Sequence, residues 1–313
     1  MWRAGSLVVV LFLVSMGSFL LTSLLPGDPA VAILGPAATP QSLAVVRHSL
    51  ALDRPIPTQY ATWIGRAATG NLGRSYQLEE QVTTVLARTL VVTVELVILA
   101  ELLALLIGVP VGVWAAQRAN QRFDKIASAV SFGALALPQF ALAIALVLVF
   151  GVRLHWFPTI GFVHISDGLG ANLRSMALPT FTLGIPLAAF YTRVVRTDMV
   201  VTLRQPHIEL ARAMGYPTRR ILVRHALRQS SLTLITVAGL QIGALLGGSL
   251  IVESIFALPG MGRLMIQRIG ARDYTVVQGG VLVIATTYVL ANFGADLLHS
   301  VLDPRLRHDP VSR

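Results

Sequence analysis

The sequence contains no cysteine and, among its 313 residues, a single lysine, Lys125. Without cysteine the chain cannot form disulfides, thiolate metal sites or a thiol nucleophile. A P-loop needs a lysine that reaches the β- and γ-phosphates of a nucleotide, and the run Arg122-Phe123-Asp124-Lys125 has no glycine-rich lead. The chain therefore cannot be a Walker-type ATPase, and any energy from ATP must come through a partner.

Charged residues are also scarce, at 13% of the chain, whereas about a quarter is usual for a soluble domain. Hydrophobic residues make up 54%, and the mean hydropathy is +0.69. Several apolar runs reach the roughly 18–20 residues that a helix needs to cross a bilayer. The sequence therefore predicts an all-α polytopic membrane protein. Its net charge of +10 comes largely from arginines between these runs, which favours a role in membrane topology over nucleic-acid binding.

The sequence patterns of the usual catalytic sites are missing as well. The seven histidines form no His-Glu-x-x-His pair, and none has another histidine three or four positions away. An intramembrane hydrolase would need a nucleophile with a base or a metal pair, and the sequence offers no convincing set. An ion-driven secondary transporter would normally show two similar halves, and no internal repeat is visible. These two classes of protein are therefore disfavoured.

Six apolar runs predict six membrane spans within one transmembrane domain that occupies residues 1–313. The first run is too long for the core of a signal peptide, and no Ala-x-Ala site follows it. Residues 30–87 are too polar to span and predict an extramembrane segment, and residues 196–231 form a basic loop. The predicted spans are about 6–25, 89–115, 126–151, 177–195, 232–251 and 276–298.

The basic loop carries the signals for two short helices joined by a sharp turn. Pro206 suits the first turn of a helix, and the carboxylate of Glu209 is favoured there by the helix dipole. Gly215 is the natural residue after the helix end, and Pro217 prevents the helix from continuing. Thr218 can cap the second helix, which runs into the fifth span. The loop is therefore predicted to form a rigid knob.

The knob resembles the EAA–Gly loop of ABC importer permeases. The resemblance rests on Glu209-Leu210-Ala211, Gly215 and His225-Ala226-Leu227, although Leu210, His225 and Arg228 replace the usual alanine, isoleucine and proline. It implies a coupling helix between spans four and five that docks into a cleft on a cytoplasmic ATPase. The coupling residues that it implies are Glu209, Leu210, Ala211, Met214, Gly215, His225 and Leu227.

Further motifs resemble the dipeptide/oligopeptide (peptide/nickel) branch of this family, in particular the permease with a long outer segment after its first span. They run in order from Leu25 to Arg305. The chain is therefore identified as a member of this branch, with the type I ABC importer permease architecture. The motifs are Leu25-Pro26-Gly27-Asp28-Pro29, Leu52-Asp53-Arg54-Pro55, Gly70-Asn71-Leu72-Gly73-Arg74-Ser75, Val252-Glu253-Ser254-Ile255-Phe256, Leu258-Pro259-Gly260-Met261-Gly262-Arg263-Leu264 and Asp303-Pro304-Arg305.

The resemblance implies a non-catalytic subunit of an ATP-driven importer of dipeptides or oligopeptides in a bacterial or archaeal plasma membrane. It implies three kinds of partner: a second homologous permease, two cytoplasmic ATPase domains that hold ATP and Mg²⁺, and an extracytoplasmic substrate-binding protein. The implied mechanism is alternating access, in which the knob transmits the motion of the ATPases. This chain is expected to bind no cofactor, metal or nucleic acid itself. Nickel, glutathione and glycosides remain alternative cargoes.

Several candidate residues have two interpretations each. Glu95 and Glu101 lie in the second span, where a charge is costly unless it is paired or faces a cavity. They could contact a passing substrate, or lie near the outer interface. Glu253, Phe256 and Met261 belong to a loop that could gate the outer mouth or form a passive re-entrant plug, with Phe256 and Met261 in the membrane interface.

Glycines recur every four residues in the fifth span, at Gly239, Gly243 and Gly247. Faces of small residues let helix backbones approach closely and pack by dispersion inside a membrane. This face predicts contact either with a second permease subunit or with another helix of the same chain.

Arginine and lysine are unevenly distributed between the two sides that six spans define. Fifteen lie on the side of the termini and the basic loop, and ten on the side of residues 30–87. Because these residues favour the cytoplasm, the termini and the knob are predicted to be cytoplasmic.

We expect an impermeant thiol reagent added to intact cells to label a single cysteine at position 70 and to leave one at position 216 unlabelled. The absence of native cysteine makes this test direct. The opposite labelling pattern would reverse the predicted topology.

Overall fold

The computed structural model describes residues 2–24, 31, 38–49, 53–75 and 77–302. The regular structure of these residues is helical, apart from an isolated antiparallel bridge between Arg74 and Gln81. The helices are α1 (Trp2–Leu24), α2 (Pro40–Ser49), α3 (Ile56–Ala68), α4 (Val82–Gln117), α5 (Arg122–Ala136), α6 (Gln139–Arg153), α7 (Leu169–Thr202), α8 (Pro206–Ala213), α9 (Thr218–Ile255), α10 (Met261–Gly270) and α11 (Tyr274–Leu302).

Four of the described helices are long and apolar enough to cross a membrane: α4, α7, α9 and the part of α11 from Tyr274 to Ala295. The pair formed by α5 and α6 makes a fifth candidate if the two count as one span. The apolar part of α1, Val9–Leu20, is shorter than the others. The protein is therefore an all-helical, multi-pass membrane protein.

The third predicted span, 126–151, is not one continuous helix. The helix axis turns by 101° between α5 and α6. Pro138 disfavours helical geometry in the residue before it, and Leu137 is extended with φ −77° and ψ 124°. Pro138 therefore separates two helices instead of kinking a single span.

The chain divides into two compact units, and the first comprises Met1–Thr93 with Pro259–Val289. In this unit the start of α4 packs against α10 and the start of α11. Helix α4 begins at Val82, so the end of the predicted outer segment 30–87 is helical. The buried cluster is Leu72, Val82, Val85, Leu86, Met261, Leu264, Met265 and Val276. Two of the motifs lie outside the described residues: Leu25-Pro26-Gly27-Asp28-Pro29 and Asp303-Pro304-Arg305.

The second unit comprises Val94–Leu258 with Leu290–Arg313, and glycines bring its α4 and α7 close together. A Cβ built on Gly108 would lie 2.7 Å from the carbonyl oxygen of Ala188, and one on Gly112 would lie 2.8 Å from that of Thr192. Only small residues permit such an approach of two backbones. The four-residue spacing of Gly108 and Gly112 was a signal that the sequence analysis overlooked.

An ion pair joins α5 to α7 in the same unit. The Arg196 guanidinium donates from Nη2 to Oδ2 of Asp124 at 2.7 Å and from Nε to Oδ1. The Asp124 carboxylate is buried and also accepts a hydrogen bond from the Asn120 backbone N–H at 2.7 Å. Two parallel hydrogen bonds of this kind fix orientation as well as distance. The end of α7 that leads into α8 is therefore held in place.

Of the three glycines at four-residue spacing in α9, Gly239 packs inside this chain, because a Cβ built on it would overlap the Cβ of Ala295 in α11. Gly247 is exposed and has no such neighbour within 4 Å. Gly243 is half-buried. Contact with a second subunit therefore stays a prediction for Gly243 and Gly247.

Gly239→Leu should lower the thermal stability of the purified chain, because overpacking typically costs about 1–3 kcal/mol. Gly247→Leu is the matched control and should leave the melting temperature of the isolated chain unchanged. Thermal unfolding in detergent micelles measures both. Equal melting temperatures for Gly239→Leu and wild type would contradict the described packing.

Candidate functional site

The candidate site is the segment from Gln205 to Arg228, which contains α8 and the start of α9. Helix α8 begins as its sequence predicts: Gln205 is the extended N-cap, Pro206 is the first helical residue and Glu209 lies in the first turn. The missing N–H of Pro206 costs nothing there. Ile208 and Ala211 face inward and form a buried cluster with Ile221 of α9.

Helix α8 ends in a Schellman motif. Gly215 has φ +79°, in the left-handed region that favours glycine. Its N–H donates to the carbonyl oxygen of Arg212 at 2.9 Å, and the N–H of Tyr216 donates to that of Ala211 at 3.2 Å. These are the two hydrogen bonds that define the motif. The direction in which the chain leaves α8 is therefore fixed by backbone hydrogen bonds.

The second part of the predicted knob differs from the expectation. Pro217, and not Thr218, is the N-cap residue, and Thr218 is the first residue of the helix. There is no separate short helix, because α9 runs for 38 residues from Thr218 to Ile255. Within it, Ile221–Ala226 has π-helical hydrogen bonding. The knob is thus α8 with the first turns of a long helix.

The ring of Tyr216 joins the turn to α9. It stacks on the imidazole of His225 with centroids 5.8 Å apart and an interplanar angle of 18°. The Arg220 guanidinium lies 4.6 Å from the centroid of the same ring. Tyr216 also packs against the buried cluster of α8 and α9. The family resemblance implies His225 as a coupling residue, but its aromatic contact with Tyr216 does not follow from the sequence.

Two large apolar side chains at the end of α8 are exposed. Leu210 is 62% exposed and Met214, one turn later, is 60% exposed, whereas Ala211 is buried and Glu209 is exposed. Neighbouring large apolar side chains on a projecting helix are typical of a protein-binding surface. Leu227, the last residue predicted for this site, is half-buried in α9.

The two acidic residues of α4 have polar partners within the chain. The carboxylate of Glu95 accepts a hydrogen bond from the Asn172 amide at 2.7 Å. Glu101 is buried, and its Oε1 accepts a hydrogen bond from the Tyr191 hydroxyl at 2.6 Å. Both contacts join α4 to α7. They give one oxygen of each carboxylate a partner without substrate, whereas Oε2 of Glu101 is buried and has no hydrogen-bond partner among the described residues. A role of Glu101 in the pathway stays a prediction.

The candidate gate residues are buried, and they belong to different units. Glu253 and Phe256 lie at the end of α9 in the second unit, with exposures of 0% and 2%, and Met261 lies in the first unit with 1%. The Met261 backbone N–H donates to the Thr93 hydroxyl at 2.8 Å. Protein atoms cover both Phe256 and Met261, and their position at the membrane interface stays a prediction.

Two family models match this chain. Residues 108–308 match the model described as binding-protein-dependent transport system inner membrane component. Residues 1–97 match the model of the N-terminal part of such membrane components. The first match includes the whole candidate site.

Relatives align over nearly the full chain. A protein of Brucella abortus (strain 2308), named a peptide transport system permease protein, is 37% identical over 307 residues, which are 98% of each chain. A glutathione transport system permease protein of Escherichia coli (strain K12) is 34% identical over 306 residues, covering 98% of this chain and 97% of that one.

A solved structure shares the fold. In an inward-facing structure of the MetNI methionine ABC transporter, one chain matches with a TM-score of 0.58 at 21% identity. The match covers 70% of this chain and 96% of that chain. The resemblance noted in the sequence is confirmed by the family models and the relatives, and the chain belongs to the family of binding-protein-dependent transport system inner membrane components.

Proposed function

We propose that this chain is the transmembrane subunit of an ATP-driven ABC importer of dipeptides or oligopeptides, forming half of the translocation pathway. The observation that carries the proposal is the 34–37% identity to peptide and glutathione permeases over nearly the whole chain. Glutathione is itself a small peptide, so it is the alternative cargo with the most direct support. Nickel and glycosides are further alternatives.

The proposed topology has six spans, made by α1, α4, the α5–α6 pair, α7, α9 and α11. Helix α1 has 23 residues, enough to cross a bilayer. Both termini and residues 196–231 are cytoplasmic, and residues 30–87 are extracytoplasmic, in keeping with the arginine distribution.

The proposed partners are a second homologous permease, two cytoplasmic ATPase domains and an extracytoplasmic substrate-binding protein. Helix α8 is the coupling helix. Its exposed Leu210 and Met214 enter a cleft of the ATPase, and Glu209 lies beside them. Motion of the ATPase is passed to α9 through the buried contacts of Ile208 and Ala211 with Ile221. ATP and Mg²⁺ are bound by the ATPase, and this chain contributes pathway and coupling without bond-making chemistry.

Gly215→Val should uncouple ATP hydrolysis from uptake in the reconstituted transporter. A non-glycine residue in the left-handed region costs about 1–3 kcal/mol, and no atom lies within 4 Å of a Cβ built there, so the effect comes from the backbone of the turn alone. We expect peptide uptake per ATP hydrolysed to fall about tenfold, which corresponds to about 1.4 kcal/mol.

Gly161→Val is the matched control, since Gly161 has φ +103° in the loop between α6 and α7 and equally open surroundings. It should retain wild-type coupling. Glu209→Lys separates two roles of the carboxylate: an exposed dipole contact is worth about 0.3–1 kcal/mol, whereas a contact buried in the ATPase has a larger effect. Wild-type uptake and ligand-stimulated hydrolysis in both Gly215→Val and Glu209→Lys would remove α8 as the coupling element.

A further inference from the structure

Two open hollows lie side by side where α9 begins. One, of about 740 Å³, is lined by Pro217, Arg219, Arg220, Val223, Arg224 and Arg228. The other is a groove of about 500 Å³ between the end of α4 and the start of α9. Arg219 and Val223 line both. A strongly basic surface is therefore continuous with an apolar one.

The basic hollow lacks negative charge. No acidic residue lines either hollow, and within the described part of the chain Arg219, Arg224 and Arg228 have no ion-pair partner. The guanidinium of Arg220 is directed to the ring of Tyr216. Like charges around one hollow repel each other, so an anion stabilises the arrangement. Guanidinium groups hydrogen-bond phosphate oxygens in pairs.

The adjoining groove has the character of a surface that contacts hydrocarbon. Its wall on α4 consists of Val109, Pro110, Val113 and Trp114, with Gln117 at the end of the helix. Trp114 is 54% exposed, and the Arg118 guanidinium lies 5.7 Å from its ring. Tryptophan beside arginine at the end of an apolar helix is typical of a membrane–water interface.

We propose that these hollows bind one anionic phospholipid, with its phosphate among Arg219, Arg224 and Arg228 and an acyl chain along the groove. The combination of a basic hollow and an apolar groove matches the two parts of such a molecule, a charged headgroup and an acyl chain. The apolar pair proposed to meet the ATPase, Leu210 and Met214, lines neither hollow, whereas Leu227, which is also predicted for the coupling site, lines the groove. The lipid belongs to the cytoplasmic leaflet, a placement that rests on the proposed topology.

Trp114 provides a direct probe, because bromine atoms on an acyl chain quench indole fluorescence on contact. The full chain is reconstituted in phosphatidylcholine vesicles that contain either brominated phosphatidylglycerol or brominated phosphatidylcholine at equal mole fraction. The difference between wild type and Trp114→Phe isolates the emission of Trp114 from that of Trp2, Trp63 and Trp156. We expect brominated phosphatidylglycerol to quench Trp114 preferentially.

The triple variant Arg219→Gln, Arg224→Gln, Arg228→Gln should lose this preference, measured again against the same variant with Trp114→Phe. A basic residue near an anionic surface contributes about 1 kcal/mol, so the preference should fall at least about fivefold. The control Arg54→Gln, Arg66→Gln, Arg153→Gln removes the same charge from exposed positions elsewhere and should retain the preference.

Three results would overturn the proposal: equal quenching by both lipids, no quenching by either, or equal loss of the preference in both triple variants. Equal quenching would indicate lipid contact without selectivity, and no quenching would indicate that protein covers Trp114. Equal loss in both triple variants would indicate a diffuse attraction between the basic protein and the anionic lipid. Native mass spectrometry of phosphatidylglycerol retained by each purified variant tests the same point without fluorescence. The vesicles carry the lipid in both leaflets and no transport is measured, so the lipid test does not depend on topology or on uptake. Gly215→Val should therefore bind lipid normally even if it fails in peptide uptake.

Discussion

The fixed attachment of α8 to α9 is the contact on which the proposed coupling depends. Two short inward side chains, Ile208 and Ala211, meet Ile221 in a buried cluster, and the left-handed turn at Gly215 sets the angle between the helices. The turn alone would not hold α8 in place, because a helix of eight residues is marginally stable without tertiary packing. Together they let a force applied to α8 act on α9, which continues for 38 residues.

The surroundings of this attachment supply a rigid frame within the second unit. The ion pair of Arg196 with Asp124 holds the end of α7 from which α8 emerges. Earlier in α7, Ala188 and Thr192 lie in close backbone contact with Gly108 and Gly112 of α4. Moving these two helices apart would lose this packing. The π-helical stretch Ile221–Ala226 is the irregular part of α9, and such stretches are frequent at functional sites.

Local signals explain what the sequence could predict. Pro206 and Gly215 act within one turn, so the start and end of α8 follow from the residues themselves. Contacts between distant helices cannot be predicted in this way, since the partners of Glu95 and Glu101 lie in α7, 77 and 90 positions away. Pro138 was ambiguous for another reason, since a proline in an apolar run can kink a helix or end it, and tertiary packing decides between the two.

The central claim is that the outward face of α8 binds the ATPase, and recovery of the ATPase with an affinity-tagged permease tests it most directly. Leu210→Asp with Met214→Asp places charges on that face, whereas Ala213→Asp changes an exposed position on the same helix. We predict that the double variant inserts normally but recovers little ATPase, and that the control recovers the wild-type amount. Wild-type recovery by the double variant would contradict the proposed docking.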